Sequence, residues 1–276
     1  MTHARIVFFG FRHVHIHALY RRALEDARVE IVACIEPDAQ ARAAAAQALG
    51  ITFSPCTYEQ ILNDPTVDTV AIGCAYGDRG EAVRMALEHG KHVIADKPIC
   101  TSRAELDVIE RLASERQLTV ACMLDLRYLP QVRRVQQLLD EGSLGEIRNI
   151  TVGGQHCIDY ANRPAWYFEN GMHGGTINDL AIHGIDLIRM LTKKEFVTVD
   201  AARVWNSFAN KHSHFKDCAM VMARLDGGVG VLADVSYSAP TQVFTMPTYW
   251  EFRLWCEEGL ISFCYADYLT KKAIPI

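Results

Sequence analysis

The chain of 276 residues predicts an α/β domain followed by an α+β domain. The first is a doubly wound parallel sheet over residues 1–124, the second a mostly antiparallel open sheet over residues 125–276. Three observations support this. Up to about residue 124, short Val- and Ile-rich runs alternate with longer amphipathic stretches, the texture of a parallel sheet covered on both faces. Beyond it, extended runs dominate, separated by turn signals such as Asp226-Gly227-Gly228 and Glu257-Glu258-Gly259. A single strongly apolar helical stretch, at about 175–191, interrupts that second series.

In order, the first-domain strands are expected at 5–9, 30–35, 69–72, 92–95 and 119–123. Between the first two, Ile16, Leu19, Tyr20, Ala23, Leu24 and Ala27 recur at helical spacing, while His13, His17, Arg21 and Glu25 follow at i,i+4 on a polar face. A helix at 130–139 then stops at Glu141-Gly142. Further strands are expected at 147–157, 196–206, 218–225, 229–237, 249–256 and 260–264.

Composition narrows the function. Twenty-eight Lys and Arg against 33 Asp and Glu leave a formal charge of −5, and the basic residues are scattered, which argues against nucleic acid or an anionic membrane surface as partner. No run reaches the roughly 18 apolar residues of a spanning helix, and the apolar start breaks at Arg12, too early for a signal-peptide core. Nine cysteines without a Cys-x-x-Cys pair read as core residues in a reducing cytoplasm.

Three constellations carry chemistry. Gly10 follows the first strand and Glu36 ends the second, the places where a dinucleotide-binding unit needs a tight turn and a ribose-binding carboxylate. Arg12 and His15 stand where small residues normally let the phosphates approach, so Arg12 either adds a charge-assisted phosphate contact or blocks it. Glu36 favours NAD over NADP, because a carboxylate repels a 2′-phosphate. His13, His15 and His17 have two readings: solvated histidines at a helix start, or the opening ligands of a metal-dependent hydrolase barrel.

Lys97 lies just past the fourth strand, at the carboxyl end where such sheets bind ligands, and Pro98 stiffens its loop. It either neutralises developing charge on a substrate oxygen or marks a surface turn. On the apolar helix, Asp179, His183 and Asp186 form the single polar stripe, at spacings of four and three. A buried Asp beside an imidazole suits general-base chemistry, a core hydrogen-bonded pair, or metal ligation with His173.

Together these pieces resemble the glucose-fructose oxidoreductase, inositol dehydrogenase and MocA family. The resemblance rests on the Gly10 turn, on Ile35-Glu36-Pro37-Asp38 and on Ala86-Leu87-Glu88-His89-Gly90-Lys91-His92-Val93-Ile94-Ala95-Asp96-Lys97-Pro98. It continues through Arg127-Tyr128-Leu129-Pro130, Trp166 and the Gly174-Gly175 to His183 helix. It implies a Rossmann domain binding NAD, with NADP second, and a dehydrogenase acting on a secondary hydroxyl of a sugar, cyclitol or polyol. Lys97, Asp179 and His183 become the expected catalytic set, and Gly10, Arg12, His13, Glu36 and Lys97 the cofactor contacts, with no metal. His156, Tyr160, Trp166, Tyr167 and His173 become candidate substrate contacts, and a homodimer or homotetramer is implied. Departures are Ala75-Tyr76-Gly77-Asp78-Arg79-Gly80 in place of a Pro-Asn pair and a later His, and Asp125 in place of Asn. The alternatives are the metal-dependent hydrolase on His13 and His15, and a non-catalytic ligand-binding member of the same fold. Relatives usually continue with further sheet and a helix past residue 264, so the short tail implies either a trimmed second domain whose open edge a partner copy covers or a sequence that ends before the natural protein does.

Overall fold

The computed structural model describes residues 3–240 and 250–265, and the sequence expectations for 266–276 and for residue 249 lie outside them. The chain forms two compact units, Met1–Met123 with Pro164–Gly174, and Leu124–Arg163 with Gly175–Ile276. Thus the segment Pro164–Gly174, placed beyond the boundary by sequence texture, packs with the first unit.

The first unit runs β1 (Ala4–Phe9), α1 (His15–Glu25), β2 (Val29–Ile35), α2 (Ala39–Leu49), α3 (Tyr58–Leu62), β3 (Thr69–Ile72), α4 (Tyr76–Glu88), β4 (His92–Asp96), α5 (Arg103–Glu115) and β5 (Val120–Met123). Its strands are all parallel, in the order β2-β1-β3-β4-β5. The chain order therefore reverses between β1 and β3, the point at which open α/β sheets leave a crevice at their carboxyl ends. Side-chain caps fix several helix starts. Asp38 accepts from the Ala41 amide at α2, and the pairs Thr57/Gln60 and Ser102/Glu105 form capping boxes at α3 and α5. Val7, Phe8, Ile16, Val70, Ile72, Val83 and Leu87 are 0% exposed and fill the layers on both faces of the sheet.

One expectation fails here: α1 begins at His15, so His13 sits in the turn before it and, at 8% exposure, is not a solvated helix histidine. Nor do the described strands make a barrel; they form one five-stranded and one six-stranded sheet, which removes the fold that the hydrolase reading requires.

The second unit contains a 3-10 turn at Asp125–Tyr128, α6 (Pro130–Glu141), β6 (Ile147–Gln155), a π-helical turn at Ile177–Ala181, α7 (Ile182–Thr192), β7 (Phe196–Trp205), β8 (Cys218–Leu225), β9 (Gly230–Ser236), β10 (Glu251–Cys256) and β11 (Leu260–Cys264). Its sheet has the order β11-β10-β6-β9-β8-β7. All pairs are antiparallel except β6 with β9, which a long crossover through α7, β7 and β8 makes parallel. The inner face carries Ile150, Val152, Phe252, Leu254, Ile261 and Phe263, all buried. Helix α7 comes close to that face: a Cβ on Gly184 would lie 3.0 Å from Val152 Cγ1. The expected single α-helix at 175–191 is two pieces, π then α, so Asp179 and His183 straddle a change of pitch. Among the described residues no helix is long and apolar enough to cross a membrane.

Candidate active site

In the first unit, a cleft of about 380 Å³ opens at the carboxyl ends of β1 and β3, with Gly10, Arg12, Glu36, Asp38 and Cys74 in its lining. Gly10 has φ +80°, and a Cβ there would stand 2.6 Å from the Cys74 backbone nitrogen, so glycine is required both for the turn and for the close pass to β3. Glu36 is 4% exposed and accepts two backbone amides, from Phe11 at 2.5 Å and Asp38 at 2.8 Å. Burial pushes its carboxyl up from the ordinary range, opposed by those amides and by Arg12.

The phosphate turn itself is altered. The amides of Arg12 and His13 both donate to the Gly73 carbonyl, at 3.1 and 3.3 Å, and that of Phe11 is taken by Glu36. Helix α1 has no side-chain cap, and the Arg12 guanidinium reaches within 3.8 Å of Asp38. The lining would suit a dinucleotide at its adenosine end, on Gly10 and Glu36, and would meet a diphosphate with Arg12 more than with amides.

Behind this turn Asp96, 0% exposed, ties together residues distant in sequence. Its carboxylate contacts His13 Nδ1 at 2.5 Å and His15 Nδ1 at 3.2 Å, accepts the Lys97 amide at 2.7 Å, and lies 3.5 Å from the Arg79 guanidinium. Arg79, also 0% exposed, donates to the carbonyls of Asp96 (3.0 Å), Pro98 (2.8 Å) and Cys74 (2.7 Å), bracketing Lys97. The Lys97-Pro98 peptide is cis. Lys97 is 4% exposed, its Nζ 5.7 Å from the centre of the Tyr76 ring.

Burial lowers the His13 imidazole to about 4 against the pull of Asp96, and although burial acts upward on Asp96, His13 and Arg79 hold its carboxyl well below the usual range. At neutral pH a neutral His13 therefore donates from Nδ1 to the carboxylate, and its Nε2, 3.1 Å away, accepts from the Tyr76 hydroxyl. Trp166 is 1% exposed, donates to the Arg12 carbonyl at 3.4 Å and packs 5.0 Å from Tyr76. It is a wall of the turn. Tyr167 and His173, also in this unit, meet edge-on with ring centres 4.5 Å apart beside Tyr76.

In the second unit, Asp179 (1% exposed) accepts from the hydroxyl of Tyr237 (0% exposed). His183 stacks edge-on against Trp250 at 5.2 Å, and His156 against the same indole at 5.5 Å. The Arg163 guanidinium covers the Tyr237 ring at 5.4 Å. Tyr160 sits 6.0 Å from His212, on a loop whose amides at Ser207, Phe208 and Ala209 are gathered by the buried carboxylate of Asp217. The third member of the polar stripe serves the fold instead. Asp186 receives the Arg127 guanidinium, anchoring the 3-10 turn to α7.

Sequence thus brings out Asp179, His183, Gly10 and Glu36, and misses Arg79, Tyr237 and the hub role of Asp96. The signal for Arg79 was present, since it falls within the segment that departs from the family pattern.

Family models match both parts of the chain. Residues 5–123 match an oxidoreductase family with an NAD-binding Rossmann fold, and residues 132–262 the GFO/IDH/MocA C-terminal domain. The chain belongs to the GFO/IDH/MocA oxidoreductase family. Relatives in this family include a levoglucosan dehydrogenase of Pseudarthrobacter phenanthrenivorans, 27% identical over 60% of this chain and 43% of its own length. Another is the scyllo-inositol 2-dehydrogenase (NADP(+)) IolW of Bacillus subtilis, 27% identical over 46% of this chain and 36% of its own. The matched stretch is less than half of either relative. Among solved structures, GenD2 from gentamicin A biosynthesis in complex with NAD gives a TM-score of 0.80 at 20% identity, covering 95% of this chain and 72% of that one. A myo-inositol 2-dehydrogenase from Lactobacillus plantarum gives 0.78 at 18%, covering 95% and 76%. These structural likenesses speak to the fold.

Proposed function

We propose that this chain is an NAD-dependent dehydrogenase acting on a secondary hydroxyl of a sugar, cyclitol or related polyol. The observation that carries the reading is the buried Asp179 and His183 at a π-to-α junction, with Tyr237 holding the carboxylate and Trp250 against the imidazole. π-turns of this kind recur at functional sites. Relatives named as dehydrogenases of levoglucosan, D-xylose and scyllo-inositol support the substrate class.

The nicotinamide, when bound, supplies the hydride acceptor. His183 accepts the hydroxyl proton, and Asp179 balances the imidazolium so formed. Lys97, held by the Arg79 bracket, places its ammonium against the substrate oxygen. His156, Tyr160 and His173 contact the other hydroxyls. Glu36 takes the adenosine ribose and Arg12 the diphosphate, with His13 supporting the turn through Asp96. The paired carboxylates Glu36 and Asp38 favour NAD over NADP.

The nine free thiols fit a reducing cytoplasm. A homodimer or homotetramer is the assembly we favour. Register places Met222 opposite Leu232, with Met220 and Trp255 on the same outer sheet face, all 48–52% exposed, where a second copy can dock.

One observation favours a second reading. With the amides of Phe11, Arg12 and His13 all committed inside the fold, a non-catalytic ligand-binding member of the family also fits. Titrating protein into NADH separates the two. A saturable fluorescence change, with turnover of NAD on a panel of polyols, is the expected result. Absence of any change at millimolar NADH rejects the cofactor role, and NADH binding without turnover of any polyol leaves the binding-protein reading.

A further inference from the structure

The cluster of His13, His15 and Asp96 is only partly used by the proposed chemistry. A ligating nitrogen or oxygen from each of the three lies within 4.8 Å of the others. Both imidazoles address the carboxylate through Nδ1, at 2.5 and 3.2 Å. Tetrahedral zinc, with bonds of about 2.0–2.2 Å, spaces its N and O ligands roughly 3.4 Å apart; His15 Nδ1 already stands at 3.2 Å from Asp96, while His13 Nδ1, at 2.5 Å, is hydrogen-bonded to it and must draw back to admit an ion. Closing the donors on an ion replaces the His13–Asp96 hydrogen bond by two metal bonds, and His15, whose side chain is 45% exposed, has room to turn toward the same point.

The outer partners of a metal site are also in place. Ligating imidazoles nearly always engage their second ring nitrogen, and ligating carboxylates are themselves hydrogen-bonded. His13 meets the Tyr76 hydroxyl through Nε2 at 3.1 Å. Asp96 is oriented by the Lys97 amide at 2.7 Å and the Arg79 guanidinium at 3.5 Å. Arg79 is in turn pinned by three carbonyls, so its charge fixes the carboxylate instead of competing for the whole of it.

We propose that His13, His15 and Asp96 form a three-ligand site for a divalent first-row transition ion, Zn²⁺ first, with its remaining positions open on the exposed His15 side. Two imidazoles and one carboxylate suit borderline ions better than Mg²⁺ or Ca²⁺, which prefer all-oxygen shells. The open positions take water or the oxygen of an anionic ligand. The proposal stands apart from the dehydrogenase reading, because ion binding is its readout.

The test uses the full chain, stripped with a chelator and then titrated with Zn²⁺ in competition with a chromophoric chelator. Co²⁺ absorption in the visible gives the ligand-field signature. The expected result is one equivalent bound, weakened at least 100-fold in His15→Ala, about tenfold in Tyr76→Phe, and unchanged in His17→Ala. His15 is half exposed, so its removal leaves the fold standing, which a thermal melt checks. Lack of stoichiometric binding overturns the proposal, as does binding that survives in the His13→Ala/His15→Ala double variant, the result that the free thiols alone would give.

Discussion

Each unit buries an aspartate at its chemical centre, and the two are balanced in different ways. Asp96 faces a guanidinium at 3.5 Å and two imidazoles, whereas Asp179 takes the neutral hydroxyl of Tyr237. A full charge about 4 Å from a carboxylate is worth roughly 4 kcal/mol at an effective dielectric of 20, and a hydroxyl dipole far less. The first carboxylate is thus largely spent on holding the Lys97 loop and the phosphate turn together. Under the proposed function the second balances the proton that His183 takes up and releases.

The largest effect that separates them is on turnover. His183→Ala should lower kcat by about 10³-fold, the scale of a lost general base, with the NADH dissociation constant within twofold of the parent. His13→Ala should cost less than tenfold in kcat while lowering stability, since it removes a partner of a buried carboxylate. Steady-state kinetics beside urea unfolding read both. Equal losses of kcat in the two variants would erase the distinction.

Next in size is Arg79→Ala, which leaves the buried Asp96 carboxylate and three carbonyls without their guanidinium. Breaking a buried ion pair from one side costs about 3–5 kcal/mol, expected here as a lowered urea midpoint. Arg79→Lys should restore only part of it, because an ammonium cannot reproduce the planar fork that serves three carbonyls. A loss under about 1 kcal/mol would mean that Asp96 is held by its histidines alone.

How far the sequence reveals this contrast follows from distance along the chain. Runs such as residues 69–72 and 92–95 declare buried strands, and Gly10 with Glu36 declares the cleft, because a local pattern carries each signal. Asp179 and His183 stand four residues apart, so one helix brings them to notice. The Asp96 hub draws on His13 and His15, 83 and 81 residues away, and Tyr237 reaches Asp179 across 58 residues. Only the topology makes them neighbours. The π-turn at Ile177–Ala181 escapes for another reason: apolar periodicity over five residues does not distinguish a π from an α pitch. The parallel pairing of β6 with β9 is likewise set by a crossover with no local signature.

The smallest expected difference is the sharpest test of the comparison, because it changes one oxygen on each side. Tyr76 and Tyr237 are both 0% exposed, so removing either hydroxyl leaves equal burial behind and takes away a hydrogen bond. Tyr237→Phe takes a donor from a carboxylate and should cost about 1.5–3 kcal/mol, whereas Tyr76→Phe takes one from a neutral imidazole and should cost about 1 kcal/mol. Urea unfolding at pH 7 measures the pair. Tyr237→Phe should also lower kcat, and Tyr76→Phe should not. The difference depends on the charge of His13, which burial lowers to about 4 and so keeps neutral at pH 7. If the two substitutions cost the same, His13 is charged at neutral pH, Tyr76 is its acceptor instead of its donor, and the first aspartate is balanced by two cations instead of one.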